Sequence, residues 1–342
     1  MKEAFLAVIA LVLVALIGAQ IPGFQYLFGV VLPYVAFVIF LGGVVYRVIG
    51  WAKSPVPFPI TTTAGQGFSL PWINQDKLDC PVTTSQVLTR MALEIFTFRS
   101  LFRNTKTSMY DGPKVTYESS KWLWLFGIMF HYSFLVIVVR HMLRLFTNPM
   151  PALVTPLEFF DGLLQIGAPQ MYISDAVIVL ALLALFARRL INTQVRYISL
   201  ANDYFPLFLI FAIAVTGILM RYFVRVDVVA IKQLAVGLAS FSPTITGEIG
   251  VIFFIHLFLV CALMAYFPFS KLMHLGGIFM SPTRNLANKS RMVRHVNPWN
   301  DPNIKPHSYA GYEDEFRQFM VDAGLPVEKP LEPKPEEEAP VE

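Results

Sequence analysis

The chain has 342 residues, of which 55% are apolar and 15% charged, and its mean hydropathy is +0.56. A typical soluble domain is about 25% charged, so the composition argues against a soluble enzyme, a secreted disulfide scaffold and a disordered chain. The net charge of +4 is small and gives no reason to expect a nucleic-acid partner. Neither cysteine, Cys80 or Cys261, sits in a CxxC or CxxCH pattern. The chain therefore has no thiolate set for its own iron–sulfur cluster and no attachment signature for a c-type haem. Cys261 reads as a packing residue in an apolar block, and Cys80 as an unpaired thiol in a polar loop.

The apolar residues gather in blocks of about 20, the length a bilayer requires. In chain order the predicted spans are residues 4–21, 26–49, 122–145, 172–187, 205–222 and 249–269, the last with a helical continuation beyond Pro268. Ile21-Pro22-Gly23 marks the first turn. Lys2 and the small pair Gly18-Ala19 leave open a second reading of the first block, as a cleaved signal peptide. The stretch Asp227–Thr246 contains Lys232 and Gln233 and reads as a surface helix and loop. The expected fold is an all-α polytopic membrane protein: a six-helix transmembrane bundle with a cytoplasmic loop and a C-terminal tail. Residues 1–50 form two N-terminal transmembrane helices, 51–121 the loop, 122–275 a four-helix module and 276–342 the tail.

Positive charge orients the chain. Six spans put both termini on one side, and that side collects 22 of the 27 Lys and Arg. The other side holds Arg140, Arg144, Arg221, Arg225 and Lys232. The predicted location is the inner (cytoplasmic) membrane, with the C-terminus in the cytoplasm. Within the loop, Pro55, Pro57 and Pro59 open an extended stretch. Val87–Phe102 reads as an amphipathic helix, with Arg90, Arg99 and Arg103 on its basic side, suited to a lipid surface or a partner. Trp299, Tyr309, Tyr312, Phe316 and Phe319 suggest order in the tail, whereas its Pro/Glu-rich last 17 or so residues read as disordered.

Four of the six histidines fall in or beside apolar helices: His131 and His141 on the third span, His256 on the sixth, and His274 in its continuation. Ionisable groups in a bilayer are costly and mark function. Ten residues of helix give about 15 Å of rise and about 280° of rotation, so His131 and His141 share a broad side. Eighteen residues are five turns, so His256 and His274 share a face about 27 Å apart. On antiparallel helices His131 faces the level of His274, and His141 that of His256. Tilt, or a bend at Pro268, must absorb the roughly 12 Å mismatch. Two bis-histidine haem-iron sites would result. Zinc fits less well, with two ligands per level. The plainer readings are histidines that hydrogen-bond neighbouring helices, an idle structural anchor, and a transporter or proton channel that uses them as a relay.

The region from the third to the sixth span resembles the gamma (cytochrome b) subunit of respiratory nitrate reductase. That family has two histidines ten apart and two eighteen apart, and it binds two haems b. SPVPFPITTTAGQGFSLPWI at 54–73 and EIFTFRSLFRNT at 94–105 are similar to the membrane subunit family of DsrMKJOP complexes, whose relatives include the Hme-type menaquinol complexes. The resemblance implies two haems b, on the axial pairs His131–His274 and His141–His256. It also implies menaquinol as substrate and a cytoplasmic iron–sulfur partner (DsrK-like) in sulfite or sulfate respiration. The nitrate reductase subunit has a lysine near its quinone, and this chain has none between Arg144 and Arg188. Polar residues there are Glu158, Asp161, Gln165 and Tyr172. Glu158 or Asp161 could accept a quinol proton, although a solvated loop carboxylate is the plainer reading. Arg140 and Arg144 are candidate propionate partners, Arg221 and Arg225 end the fifth span at a similar depth, and snorkelling to lipid phosphates is the alternative.

Overall fold

A computed structural model describes residues 1–54, 56, 65–110, 112, 114–146, 151–162, 170–247, 249–289, 293, 303 and 305–331. Most of the Pro55 stretch, Gln165, Trp299 and residues 332–342 lie outside the described residues.

The chain is mostly helical. Helix α1 (Lys2–Gly18) ends at a turn whose Gly23, at φ 84°, starts α2 (Phe24–Tyr26). A π turn at Leu27–Val31 leads into α3 (Leu32–Ala52), so Phe24–Ala52 is one apolar rod. Then follow α4 (Thr84–Thr97), α5 (Arg99–Arg103) and an antiparallel hairpin of β1 (Thr105–Tyr110) and β2 (Lys114–Ser119). Next come α6 (Lys121–Phe146), α7 (Pro151–Asp161), α8 (Ile173–Ile191), α9 (Thr193–Ile198), α10 (Ala201–Tyr222), α11 (Val228–Ala239) and α12 (Val251–Tyr266). The last helices are α13 (His274–Gly277), α14 (Pro282–Asn285) and α15 (Tyr309–Asp322).

Several features differ from the sequence expectation. Among the described residues, four helices are long and apolar enough to cross a bilayer: Phe24–Ala52, α6, α10 and Val251–Phe269. Helix α1 has 17 residues, about 25 Å of rise, and α8 carries Asp175 in its first turn and Arg188-Arg189 in its last. The chain is also not purely α-helical, because β1 and β2 pair from Thr105↔Ser119 to Tyr110↔Lys114. In keeping with the expected surface helix, α11 is too short to span, at about 18 Å; it buries Ala230, Ile231, Leu234 and Ala235 and exposes Val228, Val229 and Val236.

The main apolar cluster joins Val8 and Ala15 of α1, Phe28 and Val30 of the π turn, Leu209 of α10, Leu234 of α11, and Phe254 and Leu259 of α12. A second joins Ile178 and Leu182 of α8 to Ile210 of α10, with Phe130, Phe134 and Ile137 of α6 against it. Membrane helices gain contact where small residues admit a neighbour. Gly43 of α3 is such a place, since a Cβ there would lie 2.7 Å from Pro268.

The expected helical continuation past Pro268 does not form. Helix α12 stops at Tyr266 and is followed by 3-10 turns at Phe267–Phe269 and Lys271–Met273. Pro268 has no N–H to give a preceding carbonyl. Ser270, extended at φ −114° and ψ 176°, caps the second turn by accepting from the Leu272 N–H at 3.1 Å.

The amphipathic helix is likewise interrupted. Thr83 caps α4 in a capping box with Gln86, and Phe98 then adopts the left-handed conformation (φ 50°, ψ 45°) before α5. Part of the expected basic face turns inward, with Arg90 buried and Arg99 nearly so, while Arg103 stays half-exposed. Arg99 (2.5 Å) and Arg103 pair with Asp79, and Arg90 donates to the Asp79 carbonyl at 3.1 Å. The hydrogen bond from Arg99 foremost, with Arg103 adding to it against the effect of burial, holds the Asp79 carboxyl at about 2 instead of 3.8. A lowered folded-state value gives stability that is present above the unfolded value and lost as pH falls through the folded one. The α4–α5 segment should therefore loosen between pH 3.8 and about 2. Acid titration of tryptophan fluorescence, reporting Trp124 against Phe102 (4.8 Å between centroids), checks this. Asp79→Asn should be looser at neutral pH and flat across that window.

The C-terminal unit, residues 55–58 and 290–342, has α15 at its centre. Buried Glu313 accepts from the Glu328 N–H (3.0 Å) and the Lys329 N–H (2.8 Å), tying the following segment to the helix.

Candidate functional site

The four histidines share one chemical property. On α6, His131 Nδ1 lies 2.7 Å from the Gly127 carbonyl and His141 Nδ1 lies 2.8 Å from the Ile137 carbonyl. His274 Nδ1 lies 2.9 Å from the Lys271 carbonyl. A carbonyl only accepts, so each Nδ1 carries the hydrogen and each Nε2 keeps a free lone pair. For His256 the partner comes from another helix. Its Nδ1 lies 2.9 Å from Thr216 Oγ1 of α10. That hydroxyl is also 2.9 Å from the Ala212 carbonyl and 3.0 Å from the Ile213 carbonyl. Its hydrogen goes to one of those carbonyls, so it accepts from His256 and sets the same tautomer. Anchoring the distal ring nitrogen in this way fixes the orientation and basicity of a metal-binding imidazole.

His131 and His274 come together. Their ring centroids are 5.9 Å apart, with planes at 83°. An imidazole–metal bond is about 2 Å, so rings at this separation are close enough for both to reach one metal. Among the described residues no three His, Cys, Asp or Glu side chains gather as a bare-ion site would need. The donor set, two neutral imidazoles with free Nε2, suits a planar iron cofactor that brings its own equatorial ligands.

His131 is held from the polar side of the bundle. Phe98 meets its ring edge-on at 5.0 Å, and Phe130 does so at 5.1 Å. The turn bearing Phe98 is clamped to α6 by Trp124 Nε1 donating to the Thr97 carbonyl (2.8 Å) and Tyr132 Oη to the Phe96 carbonyl (2.7 Å). A non-glycine residue in the left-handed region costs about 1–3 kcal/mol and persists where its surroundings over-determine it.

A polar cluster lies about Arg140 and Arg144, beside His141 in sequence. Arg140 is 6% exposed. It pairs with Asp161, with Asp175 at 2.8 Å, and lies over the Tyr172 ring at 3.8 Å. Ser174 donates to Asp161 through both its N–H and its hydroxyl, at 2.7 Å each. Tyr222 Oη accepts from the Tyr172 N–H (3.0 Å) and donates to Asp175 (2.9 Å). Arg144 pairs with Glu158 (2.5 Å from Nε) and donates to Tyr172 Oη at 3.2 Å. Asp161 is thus not a solvated loop carboxylate but a buried partner of Arg140, whose charge is already matched. Sequence reasoning missed Ser174, Asp175, Tyr222 and Thr216. The only signal was Asp175 at the start of an apolar helix, where a carboxylate also serves the helix dipole.

Residues 87–296 match the family model described as nitrate reductase gamma subunit. The chain belongs to the nitrate reductase gamma subunit family. It is 44% identical over 285 residues to the Hdr-like menaquinol oxidoreductase cytochrome b-like subunit of Archaeoglobus fulgidus, covering 81% of this chain and 85% of that one. It is 43% identical over 279 residues to the protein of that description from Archaeoglobus profundus, covering 80% and 82%. The gamma-subunit match takes in all four histidines, Thr216 and the Arg140 cluster. Helices α1 to α3 lie before it.

Proposed function

We propose that this membrane protein is the cytochrome b subunit of a menaquinol-oxidising complex, holding one haem b between His131 and His274 and a second between His141 and His256. One observation carries the reading: all four imidazoles have Nδ1 anchored and Nε2 free, and the His131 and His274 rings lie close enough together that both could hold one iron. Haem supplies a one-electron carrier. His131 with His274, and His141 with His256, would hold the two groups through their free Nε2 lone pairs.

The relatives are described as menaquinol oxidoreductase subunits, and that supports menaquinol as donor. Oxidation near His141 would release protons on the outer side. Asp161 is bound to Arg140 and Ser174, so Glu158, the more open carboxylate, is the better proton acceptor. Electrons would leave from the His131 level to a cytoplasmic iron–sulfur subunit (DsrK-like), in sulfite or sulfate respiration in the inner membrane. The excess of Lys and Arg on the side of the termini supports that orientation.

The test is a dithionite-reduced minus oxidised spectrum of the purified complex, with redox titration and a menaquinol analogue as reductant. Two b-type haems per chain, both reduced by the analogue, are expected. No α-band would overturn the reading and leave the histidines as a polar relay.

A further inference from the structure

Among the described residues, buried side-chain atoms without a hydrogen-bond partner are few: Nε of Arg47, Arg90 and Arg221, and Oδ1 of Asn285. A buried guanidinium N–H left unpaired is expensive, and each such group in a native protein calls for an explanation. Arg90 belongs to the Asp79 network of the polar loop, with its Nη1 on the Asp79 carbonyl. The other two arginines lie on apolar helices, and each stands next to a segment that bears one of the four histidines.

Arg47 is on α3. Gly43, four residues earlier, is where α3 touches Pro268. Trp51, four residues later, lies against Gly276 and Gly277, where added Cβ atoms would be 3.6 and 3.7 Å from its ring. Positions i, i+4 and i+8 share one helix face. Arg47 therefore faces the chain between Pro268 and Gly276, and His274 is in that stretch. Arg221 is on α10. Gly217, four residues earlier, faces His256, whose Cε1 would be 3.4 Å from a Cβ there. Arg221 is one turn further along that face, about 6 Å. It lies over the Tyr172 ring at 3.9 Å and gives its Nη2 to the Gln170 carbonyl at 3.2 Å. That leaves its Nε–H as the free edge of the fork.

We propose that Arg47 and Arg221 bind the haem propionates, Arg47 at the His131–His274 level and Arg221 at the His141–His256 level. The inference rests on the di-haem reading above. A guanidinium offers Nε–H and an Nη–H as a planar pair that matches a carboxylate. A haem propionate would satisfy the orphaned nitrogen and neutralise the charge in one contact. Arg140, the neighbour of His141 in sequence, is fully matched by Asp161 and Asp175 and cannot serve in this way without losing them.

The test uses Arg47→Gln and Arg221→Gln in the assembled complex, with optical redox titration of both b-type transitions. Removing a cation beside a haem disfavours the reduced, more negative state, so its midpoint potential falls. Arg47→Gln should lower only the transition that His274→Ala abolishes, and Arg221→Gln only the one that His256→Ala abolishes. Unchanged potentials and haem content, or a shift in the other haem, would overturn the proposal. If a glutamine variant does not assemble, Arg47→Lys or Arg221→Lys decides. Lysine keeps the charge and loses the fork, so the resonance Raman propionate bending band of that haem should shift, and an unshifted band overturns the assignment. A wild-type complex lacking two b-type transitions would instead defeat the di-haem reading itself.

Discussion

His256→Ala is expected to abolish one of two b-type transitions and to lower menaquinol oxidation by about 100-fold or more, since even outer-shell partners of metal ligands are worth 10–100-fold. The other transition should keep its amplitude. The pairing makes the pattern strict. His141→Ala should abolish the same transition as His256→Ala. His131→Ala and His274→Ala should both abolish the second. Combining two variants from one level should remove no more haem than either alone, because the two rings act as a unit. Spectra of the four single variants read this directly. If His131→Ala and His256→Ala deleted the same transition, the assignment of levels would be wrong.

Arg140→Leu should damage the protein more than any other single change in the polar cluster. It leaves Asp161 and Asp175 without their shared guanidinium. Breaking a buried pair by removing one partner costs about 3–5 kcal/mol, because the remaining charge is stranded. The expected readout is a marked fall in thermal-inactivation temperature in detergent and in the yield of assembled complex. Arg140→Lys should recover part of the loss, because an ammonium keeps the charge but cannot fork between two carboxylates. Adding Asp161→Asn to Arg140→Leu should also recover stability, by removing one stranded charge. If Arg140→Leu were as stable as wild type, the cluster would be an ornament of the fold and not its fastening.

Four of the six predicted spans were legible, and the four histidines could be singled out as candidates, because both depend on local pattern. A run of apolar residues declares a membrane helix, and a histidine within it stands out by its cost. The hairpin was legible in principle. Thr105, Thr107, Val115 and Tyr117 are β-formers on either side of Gly112, though the polarity of the stretch reads as loop. The remaining features depend on pairs far apart in the chain. Arg140 meets Asp175 across 35 residues, His256 meets Thr216 across 40, and Arg99 meets Asp79 across 20. No periodicity records such pairs. The break at Phe98 has a similar origin. Trp124 and Tyr132 of α6 hold that turn in place, and neither is visible from the helical pattern of α4 itself.

The interruption at Pro268 and Ser270 would have a kinetic consequence if the two proposed haems are bound. Electron tunnelling slows exponentially with the gap between carriers. Helix α6 sets His131 and His141 about 15 Å apart along its axis, whereas an unbroken helix from His256 to His274 would set its pair about 27 Å apart. A straight α12 could then match α6 at one level only. By stopping at Tyr266 and turning twice before His274, the chain lets the shorter spacing of α6 govern both levels. On the proposed di-haem reading, the distance of the internal electron hop would thereby be written into one helix, with a proline removing the conflicting ruler on the other.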